Sequence, residues 1–172
     1  MREMENSIQQ FSYSVIGPEH AKVWRALRVE GARDFPLGFM TTMQETLAVP
    51  LDRCRSTLKR GNIRGIFFNK KLVGFCRYRH GRLIRTQHRG EIGAFFVTPN
   101  FHGTGAASAL MAGVAKEAKA NGVSRLELFV DTENHRAIAF CEKEGFECVA
   151  THGDGVRIGG RSRLSYAFVR RL

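Results

Sequence analysis

A strand-like run from Ile92 to Val97 passes through Thr98-Pro99-Asn100-Phe101-His102-Gly103-Thr104-Gly105 into the small, apolar stretch Ala106-Ala107-Ser108-Ala109-Leu110. This stretch constrains the fold more than any other in the chain. Glycines at 103 and 105, then alanines at 106 and 107, let ligand atoms come close to the main chain. The first N–H groups of a helix lack internal partners, so the turn points donors and a positive dipole end outward. Such a turn suits an anion, above all a phosphate.

Periodicity on either side gives alternating elements. Phe11–Val15 alternates as a strand, Gly17-Pro18 opens a helix, and Val23, Trp24 and Leu27 form its apolar stripe. The region from Gly31 to Gly38 ends that helix. Thr41 with Gln44 or Glu45 can cap a second helix, which Pro50 interrupts and Leu51–Arg60 resumes. Strands at Ile63–Phe68 and Leu72–Tyr78 meet around Asn69-Lys70, and His80-Gly81 turns toward the strand Glu91–Val97. After the glycine turn, Leu110, Met111, Val114 and Ala118 form one helix face, stopped by Asn121-Gly122. A strand around Leu126–Val130 follows, then a helix that Asn134 can cap and Gly145 closes. Two final strands, Phe146–Ala150 and Leu164–Val169, flank a glycine-rich excursion from His152 to Gly160. The order β, α, α, three β, α, β, α, β, β predicts an α/β layer structure with a mixed sheet.

At 172 residues the chain suits one domain spanning 1–172, with no repeat or linker to divide it. Met1 to Gln10 is polar, and no apolar run reaches membrane-span length. Cys54, Cys76, Cys141 and Cys148 lack metal-ligand spacing, so they read as reduced thiols in a cytoplasmic protein without a metal site. A net charge of +11 raises the question of nucleic acid. Much of the excess sits in Arg77, Arg79, Arg82, Arg85 and Arg89, and in Arg157, Arg161, Arg163, Arg170 and Arg171. Solvated hairpin and tail faces account for such runs, and no nucleic-acid motif accompanies them.

Three anion-binding folds compete for the glycine turn. A P-loop needs Lys and Ser or Thr after its last glycine, where this chain has Ala106-Ala107. A dinucleotide fold places its fingerprint after the first strand, whereas four strands precede Gly103 and its third glycine is replaced by Ser108. The third fold matches. From Glu91 to Leu172 the chain resembles the GNAT superfamily of acyl-CoA-dependent N-acetyltransferases. That family's loop, Arg/Gln-x-x-Gly-x-Gly/Ala, reads here His102-Gly103-Thr104-Gly105-Ala106-Ala107, after Val97-x-Pro99. Its second signature appears as Asn134, Ala137, Phe140, Cys141, Gly145 and Phe146, one helix and one strand downstream.

The resemblance implies a mixed, mostly antiparallel sheet of about seven strands, helices on both faces, and strands splayed at the acyl-CoA site. Backbone N–H groups of Gly103, Thr104, Gly105, Ala106 and Ala107 would hold the pyrophosphate. The strand edge at Phe95, Phe96 and Val97 would pair with pantetheine as an added strand does. Asn134 would lie beside the CoA arm, cap its helix, or do both. Glu91 is the candidate base, its pKa raised by burial beside Phe95 and Phe96, with relayed water or simple ion pairing as the other readings. His102 replaces the usual Arg or Gln and keeps a donor for phosphate. Cys141 replaces a tyrosine that protonates the departing thiolate in relatives, and reads either as that acid or as a small buried hydrophobe.

The acceptor pocket implied by the family lies around Glu30–Thr42 and Thr151–Arg163. Glu30 and Asp34 could attract an amine, and Phe35 and Phe39 could wall the pocket or pack the core. The expected function is acetyl transfer from acetyl-CoA to a primary amine, on a small molecule or a protein, by direct attack. The protein would be a monomer or homodimer, away from membranes. The alternative is a non-catalytic basic binding protein for nucleic acid or the ribosome, its CoA site vestigial or regulatory.

Overall fold

The computed structural model describes residues 11–172 and gathers seven strands into one sheet. These are β1 (Phe11–Val15), β2 (Ile63–Phe68), β3 (Lys71–His80), β4 (Arg89–Val97), β5 (Arg125–Asp131), β6 (Glu147–Ile158) and β7 (Arg161–Arg171). They lie in the order β1-β2-β3-β4-β5-β7-β6. Every neighbouring pair is antiparallel except β4 with β5. The β2–β3 turn is made by Asn69 and Lys70, both at positive φ, the backbone twist that a two-residue hairpin requires.

Among the described residues five α-helices cover the sheet: α1 (Ala21–Asp34), α2 (Met43–Ala48), α3 (Leu51–Lys59), α4 (Ala106–Ala120) and α5 (His135–Lys143). Both faces are buried, and β3 shows how. Leu72 and Phe75 join Trp24, Leu27 and Leu58 in one apolar cluster, under α1 and α3. Val73, Cys76 and Tyr78 face the other way, against Leu110, Met111 and Val114 of α4. A register slip that leaves Val73 extra between Leu72 and Gly74 shifts the alternation, so that one strand feeds both cores. Across the second core Arg64, 7% exposed, forks onto Glu117 at 2.7 and 2.8 Å, and the Tyr13 hydroxyl donates to the same carboxylate. Among the described residues no helix is long and apolar enough to cross a membrane.

Two of three boundaries differ from the sequence reading. The cap of α2 is Thr42 rather than Thr41: its Oγ1 accepts from the Glu45 N–H at 3.1 Å and the Glu45 carboxylate accepts from its N–H at 2.7 Å. As expected, α1 ends within the region from Gly31 to Gly38, at Asp34, and Gly31 lies inside the helix where the ring of Phe39 occupies the space a Cβ would need. The glycine-rich excursion is a continuation of β6 and β7, paired from Glu147 with Val169 out to Ile158 with Arg161. Its glycines, Gly153 and Gly155, lie in a register shift between His152 and Val156, beyond which the pairing resumes, and the turn falls at Gly159 and Gly160, both at positive φ.

Candidate functional site

The parallel pair β4–β5 is joined only where Arg89, Gly90 and Glu91 face Arg125, Leu126 and Glu127. Beyond Glu91 the two strands share no ladder, so the remaining edge of β4 borders a gap. Thr98 N–H bonds the carbonyl of Val73 at 2.9 Å, and Val97 stands opposite Gly74. In an antiparallel ladder this turns the N–H and carbonyl of Val97 away from β3, toward the gap. Between Phe75 and Arg77 the register slips, so that Ala94 and Phe95 together face Cys76 alone. Ala94 sits at φ +46, a left-handed conformation costly for a residue with a Cβ. This bulge lies midway along the free edge, a common place for strain to re-aim a main-chain group.

At the far end of β4 a single 3-10 turn, Pro99–Phe101, leads to Gly103 at φ +74 and Gly105 at φ +91. A Cβ at either glycine would meet only open space, so backbone conformation selects glycine and the outer side stays clear. Among the described residues, no backbone carbonyl outside the regular elements accepts from the N–H of Gly103, Gly105, Ala106, Ala107 or Ser108. The first turn of α4 carries no acidic residue. These free donors at a helix N-terminus, with room beside them, form an anion cradle. Thr104 Oγ1 donates to the carbonyl of Phe101 at 2.6 Å and braces the turn.

His102 turns inward. Its Nε2 lies 2.7 Å from the carbonyl oxygen of Val97, and its ring meets Phe35 edge-on at 5.8 Å. The Nδ1 is what it has left to offer a ligand. Asn134 caps α5, its Oδ1 accepting from Ala137 N–H at 3.3 Å. The bond uses one of its polar atoms, and the side-chain amide NH₂ remains.

Glu91 stands at the last paired register of β4 with β5, yet its surroundings differ from the burial expected beside Phe95 and Phe96. Its side chain is 39% exposed, and Oε1 accepts from Arg77 Nη2 at 2.7 Å and Arg79 Nη2 at 3.2 Å. The bulge at Ala94 and Phe95 explains this, because it breaks the alternation that would put Glu91 and Phe95 on one face. Phe96 enters the core under α1, and Phe95 packs on Phe140 at 5.3 Å, while Glu91 joins a row of cross-strand charges. Cys141 is 3% exposed within the α4-side core. Burial, with Glu142 and Glu144 nearby, pushes its thiol from 9.0 up to about 12.

The segment after α1 closes one side of the gap. Phe35 and Phe39 pack on Phe96 at 6.0 and 5.7 Å, and Arg136 of α5 lies over Phe35 at 5.7 Å. Glu30 accepts from Thr98 Oγ1 at 3.0 Å. Asp34 is forked by its neighbour Arg33 at 2.7 and 2.8 Å, on the exposed side.

Sequence reasoning missed one fixture. Arg163 of β7 forks onto Asp131, at 2.6 and 2.8 Å, and reaches Glu133 at 2.7 Å. Asp131 in turn accepts from the Glu133 N–H at 2.9 Å, setting the loop that presents Asn134. The guanidinium holds the Asp131 carboxyl below its usual range. Only the β5–β7 register brings residues 131 and 163 together, so no local signal announces the pair.

An open sheet with a parallel pair splayed beside a glycine-turn anion cradle defines an acyltransferase-type architecture. The sequence model of the Acetyltransferase (GNAT) family matches residues 24–146, and the chain belongs to that family. An uncharacterized N-acetyltransferase of Mycobacterium tuberculosis is 37% identical over 103 residues, covering 59% of this chain and 62% of the relative. The match thus spans about three fifths of that relative's length. Among solved structures, a GNAT-family acetyltransferase from Streptococcus pneumoniae superposes with a TM-score of 0.82 at 18% identity, covering 95% of this chain and 99% of the other. A putative acetyltransferase from Salmonella typhimurium, solved with its cofactor acetyl-CoA, gives a TM-score of 0.79 at 12% identity, covering 95% and 94%. At these identities the structural likeness is one of fold.

Proposed function

We propose that this chain is an acetyl-CoA-dependent N-acetyltransferase that moves the acetyl group to a primary amine by direct attack. One observation carries the reading: the gap between β4 and β5 runs from Glu91 to the free N–H groups of Gly103 and Gly105–Ser108. Its shape suits a ligand with a pyrophosphate at one end and an extended amide arm along a strand edge. The open space beside Gly103 and Gly105 passes the same test of fit.

When bound, acetyl-CoA supplies an acyl thioester. The chain's own groups do the rest. The N–H groups of Gly103, Gly105, Ala106 and Ala107 bind the pyrophosphate, with Thr104 and His102 bracing the turn. Val97 pairs with the pantetheine amides through its N–H, and the Asn134 amide flanks the arm. A main-chain N–H at the Ala94 bulge receives the charge that develops on the carbonyl oxygen. Glu91, through Oε2 or a relayed water, takes the proton that the attacking amine must lose. Phe35 and Phe39 wall the acceptor side, with Glu30 and Asp34 at its rim. Free thiols at Cys54, Cys76, Cys141 and Cys148 accord with a cytoplasmic setting.

The reading as a nucleic-acid or ribosome-binding protein gains little, because many of the arginines behind it are paired. Arg77 and Arg79 serve Glu91, Arg89 serves Glu127, Arg157 serves Asp154 and Arg163 serves Asp131. Calorimetric titration with acetyl-CoA tests the proposal first, and absence of binding at millimolar concentration rejects it. A thiol-release screen over amines and peptide N-termini then identifies the acceptor. Salt-dependent RNA or DNA binding with no turnover on any amine would favour the alternative.

A further inference from the structure

The end of α4 away from the glycine turn holds a second cavity. Glu117 lies eleven residues after Ala106 in α4, about 16 Å along the helix axis. Beside it is a hollow of about 410 Å³ lined by Arg60, Arg64, Tyr78, His80, Arg82 and Glu117. Of its lining, Arg79 alone also enters the acyl-transfer reading, through its bond to Glu91.

Two of these side chains saturate each other. Arg64 spends Nε and Nη2 on Glu117 and Nη1 on the carbonyl of Gly61 at 2.7 Å, so their charges cancel at the back wall. The others are unspent. Tyr78 is 1% exposed, and its hydroxyl is buried without a hydrogen-bond partner. A buried hydroxyl in that state is costly, and Tyr78 is one of the residues that line the hollow. Arg60 and Arg82 form no ion pair among the described residues, and His80 also lines the hollow, its ring 6.3 Å from that of Tyr78.

We propose that this cavity binds a small phosphate-type dianion, with the Tyr78 hydroxyl donating to one oxygen and the guanidinium groups of Arg60 and Arg82 neutralising its charge. A neutral buried donor calls for an acceptor, and two unpaired guanidinium groups call for negative charge. A tetrahedral oxyanion answers both, since it presents several acceptor oxygens to donors converging from different directions.

Inorganic phosphate is the probe, and residue-resolved amide shifts are the readout, because the glycine turn is a second anion cradle on the same molecule. The expected result is a saturable set of shifts at Asn62, Tyr78 and Gly81, separate from any at Gly103–Ser108. Tyr78→Phe keeps the ring in the core and removes only the oxygen; it should weaken the first set about tenfold or more and leave the second unchanged. Arg82→Ala, at the exposed mouth, should do the same without touching the core. Unsaturable or absent shifts at residues 62 and 78–81, or shifts indifferent to both variants, overturn the proposal. Thermal melting of each variant confirms that the fold is intact.

Discussion

His102 Nε2 stands 2.7 Å from the carbonyl oxygen of Val97, tying the last residue of β4 to the residue that opens the glycine turn. A carbonyl only accepts, so Nε2 carries the hydrogen and Nδ1 is left for the ligand side. The side chain therefore acts on the turn's geometry before it acts on any phosphate. His102→Ala should weaken acetyl-CoA binding by about five- to tenfold, the worth of one neutral hydrogen bond and its ordering effect. His102→Gln, which can still donate to Val97, should recover most of the loss. Calorimetry on the two variants checks this, and equal losses for both would show that the tether is unimportant.

Gly105, at φ +91 directly before α4, places the first free N–H groups of the helix. An alanine there meets no steric obstacle but must adopt a left-handed conformation, at a cost of roughly 1–2 kcal/mol. Relief of that strain would rotate the donors away from a common point. Gly105→Ala is expected to weaken acetyl-CoA binding by more than about tenfold. Gly122→Ala is the control. It imposes comparable strain at φ +76 after the other end of α4, so it should lower stability similarly and leave affinity alone. Equal affinity for both variants would contradict the assignment of the cradle.

These two positions also show what could be read from the sequence. Glycine is almost the only residue that reaches such φ values cheaply, so Gly103, Gly105 and Gly145 announced their turns through identity alone. Ala94 adopts the same conformation with no such announcement, because its strain is imposed by the ladder with β3. The fork of Arg163 on Asp131, the pairing of Arg77 and Arg79 with Glu91, and the extension of β6 through Gly153 and Gly155 share that origin. Each depends on register between strands distant in sequence, and periodicity within one strand carries no register information. The splay itself was legible only through resemblance. Nothing in the composition of β4 or β5 says that their ladder stops at Glu91 and Glu127.

Glu91 offers a direct test of the proton-transfer step. With Oε1 held by Arg77 and Arg79, the carboxylate is oriented and one oxygen remains for the amine or a water. Glu91→Gln keeps the shape and removes the base. It should lower kcat by about 10²–10⁴-fold while leaving the KM for acetyl-CoA nearly unchanged. The loss should shrink as pH rises and more amine is unprotonated in solution. A drop smaller than about fivefold across the whole pH range would falsify the base role.

Cys141 carries the last prediction, which separates catalysis from packing. Its thiol, pushed up to about 12, stays protonated throughout the working range but is also a weaker acid than an ordinary thiol, and it lies within the core. Cys141→Ala should therefore lower turnover by less than about tenfold, below the usual contribution of a general acid. Its larger effect should be on stability. Cys76, 0% exposed, is likewise raised to about 12 by burial. In the unfolded chain both thiols ionise near 9.0, so above that pH the unfolded state binds fewer protons than the native one. The contribution is intact below pH 9 and is lost as pH rises toward 12, at about 1.4 kcal/mol per thiol for each pH unit. Urea unfolding at pH 8 and at pH 10.5 should show a steep decline for the native chain. Cys141→Ala should show a shallower one from a lower starting point, since one of the two linked protons is gone. Parallel declines in the two proteins would mean that Cys141 ionises alike in the folded and unfolded states, contrary to its burial.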